Sequence, residues 1–60
     1  MDADNKVVCV LTIRKEGEDS QAFTFTAKEL QFFECKFNYF NSRGYFCDIY
    51  RLRSGGLTKI

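Results

Sequence analysis

Thr26-Ala27-Lys28-Glu29 opens the one helix that the pattern of this chain supports, and Asn41-Ser42-Arg43-Gly44 closes it. The opening fits a capping box, with a hydroxyl at the N-cap and a glutamate three residues on. Phe25 and Leu30 then occupy the two positions of a hydrophobic staple. At the other end Gly44 stands at C′, where a left-handed residue completes a Schellman motif, and Tyr45 at C″ can pack on Phe40. Together these signals predict a helix over residues 27–43.

Strands flank that helix on both sides. Residues 6–14 read as the first: Val7, Cys9, Leu11 and Ile13 share one face, and Val8, Val10 and Thr12 the other. Both faces are apolar through Val10, which predicts a central position in a sheet. Lys15-Glu16-Gly17-Glu18-Asp19-Ser20 is a polar turn and predicts a hairpin into a second strand over residues 21–25, with Phe23 and Phe25 on one face. Residues 45–53 read as the third strand. Its two faces carry Tyr45, Cys47, Ile49, Arg51 and Arg53, and Phe46, Asp48, Tyr50 and Leu52; neither alternation identifies the core side. After Ser54-Gly55-Gly56, residues 57–60 are either a frayed tail or a short fourth strand.

The expected architecture is one α+β domain over residues 1–60, of element order β-β-α-β, with residues 1–5 and 54–60 flexible at its ends. The sheet is mainly antiparallel, of three strands or of four if 57–60 pair. The third strand lands beside the first, giving order 2-1-3, and the helix packs on one face.

Sixty residues bury only about 60% of the surface that the unfolded chain exposes. Seven Phe and three Tyr are more rings than so small an interior holds, so some are expected to face a partner, first of all a second copy. The net charge of +1 supplies neither a strong field for nucleic acid nor an acidic mimic of it. The start of the chain, Met1-Asp2-Ala3-Asp4-Asn5, lacks the basic and apolar regions of a signal peptide, and the longest apolar run, Val7 to Leu11, is too short to span a bilayer. The expectation is a cytoplasmic protein with no membrane partner.

The helix carries two apolar stripes. Leu30, Phe33, Phe37 and Phe40 cluster on one side and read as core. Phe32, Cys35 and Tyr39 fall on nearly the opposite side, at i, i+3 and i+7. A helix lying on a single sheet cannot bury both. Aligned rings left on a surface tend to mark interaction sites, so Phe32, Cys35 and Tyr39 are the candidate partner-binding residues. A second class of function rests on the basic last third of the chain. Arg51 and Arg53, with Tyr45 and Tyr50 nearby, form the candidate set for stacking and neutralising a single-stranded nucleic acid.

Chemistry finds little support. There is no His, no Ser, Cys or Lys has an evident base beside it, and Gly55-Gly56 precedes no helix as a phosphate loop would. Cys9, Cys35 and Cys47 form no close pair and read as reduced thiols without a metal. No catalytic residue, metal or cofactor is expected, and the chain reads as a non-enzyme.

The order hairpin, helix, final strand resembles the small homodimeric uracil-DNA glycosylase inhibitors of Bacillus phages. The likeness spans residues 6–53. It rests on the apolar first strand (Val7 to Ile13), the acidic turn Glu16-Gly17-Glu18-Asp19 and the aromatic second strand (Phe23, Phe25). It continues in the hydroxyl-capped helix bearing aromatics and the ending Arg51-Leu52-Arg53. The resemblance implies a homodimer, active in a host cytoplasm, that uses helix aromatics to block the DNA-binding groove of a DNA-processing enzyme. It assigns no individual binding residue.

Overall fold

The computed structural model describes residues 6–60; the expectation of a flexible segment over residues 1–5 lies outside them. The chain forms β1 (Val7–Arg14) and β2 (Gln21–Thr26), then a 3-10 helix (Lys28–Phe32) running into α1 (Phe33–Ser42), then β3 (Phe46–Arg53) and β4 (Gly56–Lys59). The four strands make one sheet of order β2-β1-β3-β4, antiparallel at every step. The expected order 2-1-3 is present, and residues 56–59 pair as a fourth strand beyond β3.

Turn chemistry sets both hairpins. Between β1 and β2, the Glu18 N–H donates to the Lys15 carbonyl at 2.9 Å, with Gly17 at φ +83° inside the turn. Between β3 and β4, Arg53 pairs with Gly56 around Ser54-Gly55.

The register settles the face of β3. Ile13 pairs with Cys47, Leu11 with Ile49 and Cys9 with Arg51, so these residues share the face under the helix. Residues opposite one another in an antiparallel ladder lie on the same side of the sheet. Val10 with Tyr50, Thr12 with Asp48 and Arg14 with Phe46 lie on the other side. No element of the described chain covers that second face.

The first strand departs from strict alternation. Its register against β2 shifts between Val7 and Cys9, so Val8 is the extra residue of a bulge. Val7 therefore pairs with Thr26, and Val8 joins the side chains packed on the core, where alternation alone puts Val7. A bulge inserts one unpaired residue and reverses the alternation beyond it.

The core is thin. Cys9, Leu11, Ile13 and Phe25 are buried, and the helix lays Leu30, Phe33, Phe37 and Phe40 over them, each half-buried. Ring geometry fixes that layer. Phe25 meets Phe33 edge-on at 5.4 Å, and Phe23 stacks on Phe40 at 5.5 Å.

The helix start differs from the expected single α-helix over 27–43. Thr26 is still paired in β2, and the first turn after it tightens to 3-10 geometry. The Glu29 carboxylate accepts the Thr26 N–H at 3.0 Å, which is the glutamate half of a capping box. The Thr26 hydroxyl donates to that same carboxylate oxygen at 3.2 Å, so it is not the acceptor that the motif assigns. At the other end the Schellman motif is complete. Gly44 has φ +86°, its N–H donates to Asn41 at 3.3 Å, and the Tyr45 N–H donates to Phe40 at 3.2 Å.

Candidate functional surface

The outward side of the helix follows from the inward one. With Phe33, Phe37 and Phe40 turned to the sheet, residues spaced between them point away. Phe32 is 59% exposed and Tyr39 50%, and Cys35 is exposed between them. The structure therefore brings all three candidate partner-binding residues onto one surface, where they line a shallow groove of about 370 Å³ with Lys36 and Phe40.

Tyr39 is held more firmly than its exposure suggests. Its ring meets Phe40 edge-on at 5.0 Å, and the Arg43 guanidinium lies 4.4 Å from its centroid. Its carbonyl accepts the Ser42 hydroxyl at 2.9 Å. Phe32 has no comparable ring partner among the described contacts and is the freer of the two.

A second groove adjoins the first and shares Phe32 and Lys36 with it. It holds about 400 Å³ between the helix and β2, with Phe23, Thr24 and Glu29 in its lining. The Lys36 ammonium sits 4.9 Å above the Phe23 ring. The sequence marks Glu29 as a helix cap alone and gives Lys36 no role. Their spacing with Phe32, at i, i+3 and i+7, was a signal that the side of the helix overhanging β2 carries one charge of each sign.

The four residues of the nucleic-acid reading are not brought together. Tyr50 lies on the uncovered face, opposite Val10. Arg51 lies on the helix side, opposite Cys9, and Arg53 follows it at the far end of β3. Tyr45 precedes β3 at the other end, packed on Phe40 at 5.1 Å and beneath the Lys15 ammonium at 5.3 Å. The uncovered face has its own aromatic, Phe46, 61% exposed and beneath the Arg14 guanidinium at 5.2 Å. Its charges are mixed: Asp48 and Lys59 pair there at 3.3 Å.

The thiols differ by position. Burial pushes the Cys9 thiol above its ordinary value, with Arg51 drawing it part of the way back. Burial, and then the Asp48 carboxylate, raise that of Cys47. Both shifts favour the thiol over the more nucleophilic thiolate. Among the described residues no three His, Cys, Asp or Glu side chains are placed to hold a metal ion, and no helix is long and apolar enough to cross a membrane.

The likeness to the phage inhibitors rests on the residues quoted for it, because comparison with protein families, with curated proteins and with solved structures finds no match to this chain.

Proposed function

We propose that this chain is a non-enzymatic protein-binding domain that docks through the outward side of its helix, in the manner of a phage-type inhibitor occupying a host enzyme. The observation that carries the reading is the alignment of exposed Phe32 and Tyr39, with Cys35 between them, along a groove that no part of the described chain fills. Leaving two rings in water forgoes burial that a partner surface would supply, and aromatic anchors of this kind dominate the affinity of interfaces. The phage resemblance makes uracil-DNA glycosylase the first target to try.

The experiment is a titration of the chain into a uracil-DNA glycosylase reaction, with Phe32→Ser beside the wild type. Inhibition that weakens in the variant supports both the target and the surface. Absence of inhibition removes that target. Steeply salt-dependent binding to single-stranded DNA, unaffected by Phe32→Ser, would replace the protein-binding reading with the nucleic-acid one.

A further inference from the structure

The two edges of the sheet are treated unequally. Edge strand β4 is four residues long and carries Lys59, the kind of short, charged edge that resists pairing with another chain. Edge strand β2, Gln21-Ala22-Phe23-Thr24-Phe25-Thr26, is longer and has neither a charge nor a proline. The bulge that could twist it away lies on β1, at Val8. Among the described residues no strand lies beside its outer edge, and of its backbone donors the Thr26 N–H is held by the Glu29 carboxylate.

The stretch is also nearly symmetric about Thr24. Phe23 and Phe25 flank it on the helix side, and the small residues Ala22 and Thr26 lie beyond them. A two-fold axis through Thr24, normal to the sheet, would pair Thr24 with its own copy and Phe23 with Phe25, every side chain keeping its face. The charges beside β2 obey the same symmetry. Lys36 stands over Phe23, near one end of the strand, at 4.9 Å from its ring. Glu29 is tied to Thr26, at the other end, at 3.0 Å. An antiparallel copy brings the Lys36 end of each strand to the Glu29 end of its mate, so each lysine meets a glutamate, twice over.

We infer that β2 pairs edge to edge with β2 of a second copy, giving a continuous eight-stranded sheet, four strands from each chain, closed by two Glu29–Lys36 pairs. The partner is identified by this self-complementarity: a two-fold interface requires one patch to match itself in shape and in sign. Both helices lie on the same face of the joined sheet, and the grooves that run over β2 meet across the axis. Six residues of strand span about 20 Å and the overhanging helix about 15 Å. That footprint falls at the small end of specific interfaces, so the dimer should form in the micromolar range. The inference deepens the protein-binding reading and rests on it, because the grooves that meet across the axis carry Phe32 of each copy in their lining.

Two experiments on the whole chain test it, both in a Cys35→Ser background that removes the exposed thiol. In the first, Thr24→Cys is oxidised mildly. Residues facing each other across antiparallel strands lie about 4.5–5.5 Å apart at Cα, within disulfide reach, so a covalent dimer is expected, while Thr58→Cys on β4 should give none. In the second, Glu29→Lys and Lys36→Glu are made as separate variants. Each sets like charges opposite one another and should weaken self-association about tenfold or more, and mixing the two should restore it in a heterodimer. The mixture guards against a folding defect, since a misfolded variant would not be rescued. A dimer neither trapped through position 24 nor sensitive to the charge changes would overturn the edge pairing and leave protein binding standing. A monomer at all concentrations that still binds a protein target would do the same. A monomer that binds no protein would remove both.

Discussion

The Tyr45 N–H donates to the Phe40 carbonyl at 3.2 Å while the two rings meet edge-on at 5.1 Å, so one backbone bond and one ring contact lock the end of the helix to the start of β3. The link depends on Gly44, whose φ of +86° is costly for any residue with a Cβ. No neighbouring atom lies within 4 Å of where that Cβ would be, so the cost is conformational and not a clash. We expect Gly44→Ala to destabilise the fold by about 1–2 kcal/mol. A urea midpoint equal to that of the wild type would show that the chain reverses without a left-handed residue.

The helix start makes a different demand. Glu29 receives both the Thr26 N–H and the Thr26 hydroxyl. Replacing Glu29 with Ala leaves an exposed backbone donor to water and should cost about 1 kcal/mol. Thr26→Ala removes only the weaker hydroxyl bond and should cost about half that. Denaturation of the two variants side by side checks the order; a larger loss in Thr26→Ala would restore the threonine as the true cap.

The two sides of the helix should separate in a stability measurement. Phe33 meets Phe25 and Phe37 at 5.4 and 6.2 Å, and truncating it to Ala should cost about 3 kcal/mol, near the low end for a phenylalanine because it is only half-buried. Phe32→Ser should stay within about 0.5 kcal/mol. Tyr39→Ser should cost about 1 kcal/mol, since it loses the contacts with Phe40 and Arg43. A Phe32 variant that melts as early as the Phe33 variant would place the outward ring in the core.

The cysteines should react in order of exposure: Cys35 first, then Cys47, and Cys9 only on unfolding. Timed alkylation followed by peptide mass analysis reads this directly. Burial also couples the thiols to pH. Because folding raises the values of Cys9 and Cys47, the unfolded chain ionises first as pH climbs. Their contribution is constant below the ordinary thiol range and is lost above it. We expect the urea midpoint to fall from about pH 8.5 upward, less steeply in Cys9→Ala. An identical slope in the two proteins would mean that Cys9 ionises freely in the fold.

Local signals carried much of the architecture in the sequence. The Asn41 to Tyr45 terminator, the polar turn at Gly17 and the two-sided apolar strand from Val7 to Ile13 each correspond to a feature of the structure. The face of β3 was not legible, because each of its two sides mixes apolar residues with charged ones, Cys47 and Ile49 with Arg51, Phe46 and Tyr50 with Asp48, and only pairing with β1 chooses between them. Nor was the bulge at Val8, since positions 7 and 8 are both valine and no glycine marks the irregularity. At the candidate site, the stripe of Phe32, Cys35 and Tyr39 came from helical periodicity alone. The groove over β2 did not, because it arises between elements, and Lys36 acquires its neighbour Phe23 only when the helix lies down on the sheet.

The strand order β2-β1-β3-β4 also has a kinetic side. Both outer pairings are hairpins that zip within a few residues of chain, on a timescale of about 1–10 μs. The central seam, where Leu11 meets Ile49 and Cys9 meets Arg51, must wait for the whole helix to close between its halves. The seam thus carries the topology's one distant search, and the encounter of β1 with β3 should set the pace of folding. A trimmed side chain at Ile49 would then slow refolding, and so would one at Leu52 or Leu57, because contacts zipped before the rate-setting encounter are already present in its transition state.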